Sequence, residues 1–108
     1  MLLFIHVILL TAYDGTDDKA TEKRLANRDA HIKFSNELIA KKQMLFGVAL
    51  LNGEGKMIGS SIVYDFPSKE ELEKTLNKNE PYILGNVWQK IDIESCKIGP
   101  SFESLFIN

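Results

Sequence analysis

The sequence has little or nothing of several features, and each scarcity removes a class of protein. It contains one cysteine, Cys96, which excludes an intramolecular disulfide and a cysteine-rich zinc site. Its two histidines lie far apart, without the His-x-His or His-x-x-x-His spacing of metal sites. No glycine-rich phosphate loop occurs, so nothing indicates nucleotide binding. We therefore expect neither a metal nor an organic cofactor.

An excess of positive charge is also missing. The chain carries 13 basic and 15 acidic residues, for a net charge of −2, so no basic field exists to hold a nucleic acid. Residues 1–10 are apolar but too few to cross a bilayer. A signal peptide is the alternative interpretation, although the basic start and small-residue cleavage site of such peptides are absent. We expect no membrane partner, and the free thiol favours the cytoplasm.

The 108 residues have the size of one domain, spanning 1–108. Apolar runs and turn residues predict six elements in the order β-α-β-β-α-β. They are a strand at 2–12, a helix at 19–42, strands at 44–51 and 56–66, a short helix opened by a capping box at Ser68 and Glu71, and a strand at 87–98.

This order predicts an α+β, ferredoxin-like antiparallel sheet, with the first and third strands in the centre and both helices on one face. In the last strand, Lys90, Asp92 and Glu94 share the wet face with Trp88. The first strand is apolar on both faces, so the face without helices also needs a cover. A homodimer formed through that face supplies one. The alternative is a monomer whose C-terminal tail, 99–108, folds over the sheet.

Four polar residues lie within an arc of about 60° on the first helix, at roughly 100° per residue. They are Arg24, Arg28, His31 and Ser35. The arc borders an apolar stripe, Leu25, Ile32 and Ile39, which recurs every seven residues and is expected to face the core.

The arc predicts a site for a small anion beside a proton-transfer group. Two guanidinium groups without a local acidic partner favour a carboxylate ligand. The alternatives are a purely structural histidine and arginines paired with acids of the fold, such as Glu22 or Asp29.

Three segments carry a resemblance to a known family. Residues 22–31 resemble the helix motif of the YciI-like family, in the dimeric α+β barrel superfamily. Gly59-Ser60-Ser61 with its strand, and Glu80-Pro81-Tyr82 followed by Gly85-Asn86-Val87, are similar to two further motifs of that family. The matches run in the family order over nearly the whole chain.

The resemblance implies a homodimer with a cleft holding a histidine and an acidic residue. The histidine corresponds to His31, and the acidic residue to Glu80, where the family normally has aspartate. It implies a cofactor-free lyase or isomerase acting on a small anionic, aromatic or lactone-like molecule. His31 would be the acid or base, Glu80 its orienting partner, and Arg24 or Arg28 a carboxylate clamp. Ser35, Ser60 and Tyr82 would donate hydrogen bonds to the substrate. The alternative function is a non-catalytic ligand-binding or accessory dimeric module.

Overall fold

The computed structural model of the chain describes Phe4 and residues 6–106. The strands are β1 (Val7–Asp14), β2 (Met44–Leu51), β3 (Met57–Asp65) and β4 (Trp88–Ser95). The helices are α1 (Ala20–Ala40), α2 (Lys69–Asn79) and α3 (Pro81–Leu84), and a 3₁₀ helix (Pro100–Leu105) follows β4. The predicted strand positions 2, 3 and 5, and Ile107 of the tail, lie outside the described residues. β1 extends to Asp14, beyond the predicted end at residue 12.

The four strands form one antiparallel sheet in the order β2-β3-β1-β4. The ferredoxin-like α+β prediction is therefore confirmed, with β1 and β3 in the centre. Leu10 pairs with Ile62 of β3 and with Ile93 of β4, which fixes the register of the three strands. Within the described residues, no helix has the length and apolarity needed to cross a membrane.

The core lies between one face of the sheet and the helices. Its central side chains are wholly buried: Ile8 and Leu10 of β1, Tyr64 of β3, and Leu72 of α2. The two central strands lie close together at Gly59. A Cβ added there would lie 2.4 Å from the carbonyl oxygen of Ala12, so a larger residue would not fit. Glycine at position 59 thus permits a close approach between the backbones of β1 and β3.

The apolar stripe of α1 does not face the core, contrary to expectation. Leu25, Ile32 and Ile39 are 58%, 38% and 52% exposed, whereas Leu38 is buried. At about 100° per residue, Leu38 lies roughly 100–140° around the helix from that stripe. A seven-residue repeat shows which residues share a flank, but not which flank meets the sheet. Here the flank that carries Leu38 packs on the core.

The opposite sheet face carries apolar side chains from β2 and β3. Phe46 pairs with Val63 and is exposed, and Val48 on the same strand is exposed as well. The tail contacts the N-terminal segment, where the Phe106 and Phe4 rings are 6.3 Å apart. Phe102 and Leu105 of the tail are exposed. The dimer predicted from this face remains a prediction.

Candidate active site

A cleft of about 370 Å³ opens between α1 and the β2–β3 side of the sheet. Six of the seven predicted site residues line it: Arg24, Arg28, His31, Ser35, Ser60 and Tyr82. The seventh, Glu80, is completely buried behind His31. Apolar side chains, among them Ile32, Ile39, Met44 and Ile62, form the remaining walls. The cleft therefore combines a polar helix flank with an apolar floor.

His31 and Glu80 are in direct contact. Nδ1 of His31 lies 2.6 Å from Oε1 of Glu80, and the imidazole is 15% exposed. A carboxylate only accepts hydrogen bonds, so Nδ1 carries the proton of this bond when Glu80 is ionised. That arrangement leaves Nε2 as the ring nitrogen able to exchange a proton with a bound molecule.

The local sequence positions the Glu80 carboxyl group. The backbone N–H of Glu80 donates to Leu76 at the end of α2, and its side chain caps α3 by accepting from the backbone N–H of Tyr82 at 3.1 Å. Pro81 occupies the first position of α3, where a missing N–H costs nothing. The Glu-Pro-Tyr sequence thus ends one helix, begins the next and presents a carboxylate to His31.

Two aromatic rings fix the imidazole. Tyr82 stacks on His31 with ring centroids 3.9 Å apart and planes 9° from parallel. Trp88 approaches His31 by its edge, with centroids 6.0 Å apart. Burial raises the pKa of Tyr82 above its ordinary value of 10.0, so the stacked ring keeps its phenol proton at neutral pH. The imidazole of His31 is thus held by the Glu80 carboxyl group and by the rings of Tyr82 and Trp88.

Arg24 belongs to a buried network rather than standing free. Its Nη1 donates to both carboxylate oxygens of Asp14, at 2.9 and 3.0 Å, and its Nη2 donates to Ser60 Oγ at 3.2 Å. Ser60 Oγ also accepts from Trp88 Nε1 at 3.2 Å. Asp14 therefore supplies the counter-charge of Arg24. For this arginine, the alternative of pairing with an acid of the fold is the correct one.

Arg28 lines the cleft and has no carboxylate partner among the described residues. Ser35 and Asn36 line the cleft with it. Of the two arginines predicted to clamp an anion, Arg28 is thus the one with an unmatched guanidinium.

The described part of the chain has no cluster of three or more His, Cys, Asp or Glu side chains able to hold a metal.

Asp14 and Trp88 belong to the buried network of Arg24, although the sequence did not indicate either as a site residue. Asp14 follows an apolar strand and resembles a turn residue, and nothing local indicates a partner on α1. Strict alternation puts Trp88 on the wet face of β4, but the register shifts between Tyr13 and Asp14, and Trp88 is buried.

A sequence profile of the YCII-related domain matches residues 6–97, a range that includes the entire cleft. The chain belongs to the YCII-related family. No curated protein gives a significant match. Membership confirms the resemblance seen in the three motifs.

The solved structures that share the fold of this YCII-related protein include the following two. One is 5-chloro-2-hydroxyhydroquinone dehydrochlorinase from Burkholderia phenoliruptrix, in complex with 2,5-dihydroxybenzoquinone. It is 20% identical with a TM-score of 0.75, over 88% of this chain and 97% of that one. The other is a proposed antibiotic biosynthesis monooxygenase from Deinococcus radiodurans, 8% identical with a TM-score of 0.51, over 86% and 91% of the two chains. At these identities the similarity establishes a common fold.

Proposed function

We propose that this protein is a small-molecule enzyme of YCII type in which His31 transfers a proton and Glu80 orients it. The observation that carries the proposal is the 2.6 Å contact between His31 Nδ1 and Glu80 Oε1 at the wall of a cleft. A histidine with one ring nitrogen held by a carboxylate and the other available is suited to general acid–base catalysis.

The chemistry needs only groups of the chain and the substrate. His31 Nε2 takes a proton from an acidic C–H or O–H of the substrate, and Glu80 stabilises the imidazolium that results. In an isomerisation the proton returns to another substrate atom. In an elimination the electron pair left behind expels a leaving group such as chloride, and His31 later releases its proton to water. The proposed reactions are therefore lyase or isomerase steps without a cofactor.

The cleft favours a flat, anionic substrate. Arg28 supplies an unmatched positive charge, Ser35 and Asn36 supply hydrogen-bonding groups, and Ile32 and Ile39 supply apolar contact area. An aromatic or lactone-like ring bearing a carboxylate or phenolate fits these groups. Ser60, Tyr82 and Arg24 form the rear of the cleft in this proposal. The dehydrochlorinase that shares the fold makes chlorinated hydroxyhydroquinones a reasonable first set of probes.

The proposed functional unit is a homodimer formed through the sheet face that carries Phe46 and Val48, and its proposed location is the cytoplasm. Both side chains are exposed in the single chain, and burying them in a second copy removes apolar area from water. The tail at 99–108 lies against its own domain or the partner in this arrangement.

The proposal is tested with His31→Asn and Glu80→Gln against small aromatic carboxylic acids, lactones and chlorinated hydroxyhydroquinones. We expect turnover to fall by about 100-fold or more in both variants, while thermal stabilisation by the ligand persists. His6→Asn is the matched control, because His6 contacts Ser95 away from the cleft, and it should retain activity.

Arg28→Gln should raise KM more than it lowers kcat, since the clamp acts on bound substrate and transition state alike. If a ligand stabilises the unmodified protein and no probe is turned over, the non-catalytic binding module becomes the better account. Full activity in His31→Asn would reject the proposal.

A further inference from the structure

Ser60 accepts two hydrogen bonds, and both come from groups that can only donate. Its Oγ lies 3.2 Å from Arg24 Nη2 and 3.2 Å from Trp88 Nε1. Neither a guanidinium group nor an indole N–H can accept a hydrogen bond. A serine oxygen has two acceptor positions and one proton, so both acceptor positions of Ser60 are occupied and its proton remains unused.

The proton of Ser60 has no acceptor within the described part of the chain. Ser60 Oγ donates to none of the described residues, and its partners across the sheet are Ala12 and Ala49, whose side chains accept nothing. Asp14, the acid of this network, already accepts from Arg24 with both oxygens. A buried hydroxyl with an unused donor is costly unless a ligand or a water accepts from it.

Ser60 borders the cleft that also contains His31. It is 3% exposed, and it lines the cleft together with its sheet neighbour Ala49. The cleft is therefore the space beside Ser60 in which an atom from outside the protein can accept the unused proton.

Arg24 strengthens this donor. A hydrogen bond from a cation draws electron density from Ser60 Oγ, and the O–H group then donates more strongly to a further acceptor. Arg24 is buried and held by Asp14, so the polarisation exists before any ligand arrives. A fixed donor of this kind stabilises a negatively charged oxygen more than a neutral one.

Trp88 contacts both Ser60 and the proposed base. Its Nε1 donates to Ser60, and its ring approaches His31 by the edge, with centroids 6.0 Å apart. The hydroxyl of Ser60 and the imidazole of His31 thus share one neighbour and line one cleft, so a single small ligand can meet both.

We propose that Ser60 is the specificity-determining donor of the cleft, and that its hydroxyl binds a carbonyl oxygen that becomes an enolate oxygen in the reaction. This inference rests on the proposed function and names its substrate class, a carbonyl compound with an acidic C–H beside the carbonyl. His31 Nε2 takes that proton, the C–H electron pair forms a C=C bond, and the C=O π pair moves to the oxygen. Ser60 keeps its own proton and donates to that oxygen throughout.

Neutron diffraction tests the direction of the hydroxyl without a substitution or a substrate. In crystals exchanged into D₂O, the deuterium on Ser60 Oγ is located directly. We expect it to point into the cleft and to donate to a water there. A deuterium directed at the Asp14 carboxylate or at a backbone carbonyl overturns the proposal.

Two probes of the same shape test the substrate class. Coumalate carries a lactone carbonyl opposite its carboxylate, and 6-aminonicotinate carries an amino group at that position. Because an amino group facing Ser60 leaves a buried donor without an acceptor, we expect coumalate to bind the unmodified protein about 10-fold more tightly or better in isothermal titration calorimetry. A preference for 6-aminonicotinate overturns the proposal.

Ser60→Cys replaces the hydroxyl with a weak donor of similar shape. Ser61→Cys is the matched control, since Ser61 forms no side-chain hydrogen bond with any described residue. We expect the preference for coumalate to fall toward equal binding in Ser60→Cys and to persist in Ser61→Cys; an unchanged preference in Ser60→Cys overturns the proposal. If neither probe binds, the carboxylate-bearing ligands of the proposed function are rejected, and the neutron measurement by itself decides the role of Ser60.

Discussion

Nδ1 of His31 lies 2.6 Å from Oε1 of Glu80, although 49 positions separate the two residues along the chain. One stands in the middle of the longest helix and the other at the junction of two short ones. Tyr82, two positions after Glu80, stacks on the same imidazole. The α2–α3 junction therefore supplies both the carboxylate and the aromatic ring that determine the orientation of His31.

Asp14→Ala should destabilise the protein strongly. It leaves the Arg24 guanidinium buried without its counter-charge, and breaking a buried ion pair in this way costs about 3–5 kcal/mol. The free energy of unfolding, measured by urea denaturation, provides the test. Asp18→Ala removes a carboxylate from an exposed position, and it should change stability by less than about 0.5 kcal/mol. Equal effects from the two substitutions would show that the Arg24–Asp14 pair is not buried in solution.

Ser60→Ala should loosen the network at the rear of the cleft. Its Oγ accepts from Arg24 Nη2 and Trp88 Nε1, so the substitution leaves two donors without an acceptor. We expect a loss of about 1–3 kcal/mol in unfolding free energy, with a shift in the fluorescence of Trp88. Ser61→Ala is the neighbouring control, since Ser61 forms no side-chain hydrogen bond in the described part of the chain. Unaltered fluorescence in Ser60→Ala would contradict the hydrogen bond from Trp88 Nε1 to Ser60 Oγ.

Much of the fold followed from the sequence because local patterns determine local elements. The bounds of β2 agree with the prediction, and Ser68 caps α2 by accepting from Glu71 as the capping pattern indicated. The four members of the polar arc of α1 line one cleft, and their role as site residues stays a prediction.

What the sequence could not reveal depends on contacts between distant segments. The stripe through Leu25 was assigned to the wrong side of α1, because periodicity does not say which flank meets the sheet. The Arg24–Asp14 pair joins a helix to a strand end, and no local pattern predicts it. Trp88 was assigned to the wet face of β4, because a register shift between neighbouring strands has no simple signal in one sequence.

Phe46→Glu should prevent the proposed dimer. Phe46 lies on the sheet face opposite the helices, and a buried carboxylate at a sheet–sheet interface would lack a partner. We expect the unmodified protein to sediment as a dimer and Phe46→Glu as a folded monomer in analytical ultracentrifugation. Leu84→Glu alters an exposed apolar residue of α3 and should remain dimeric. A monomeric unmodified protein would refute the dimer and favour the single-chain alternative.

Cys96 should react slowly with alkylating reagents. Cys96 is exposed, but partial desolvation by its neighbours raises the pKa of its thiol above the ordinary value of 9.0, and only the thiolate is nucleophilic. At pH 7.5 the thiolate fraction is therefore smaller than in an unfolded chain, and the rate with iodoacetamide should still be rising with pH above 9. The same protein in urea is the control and should react faster. A folded protein that reacts faster than the unfolded chain would indicate an activated thiol.

Glu80 serves three purposes with one residue: it closes α2, starts α3 and contacts the imidazole. A substitution there is not a purely chemical change, because the Glu80 side chain also accepts the hydrogen bond from the Tyr82 N–H that begins α3. A relative that loses catalysis therefore still has a structural reason to keep a capping acceptor, such as a carboxylate, at this junction. Retention of a carboxylate at position 80 alone is thus poor evidence of activity, whereas loss of the imidazole at position 31 is a more informative sign of a relative that no longer turns over a substrate.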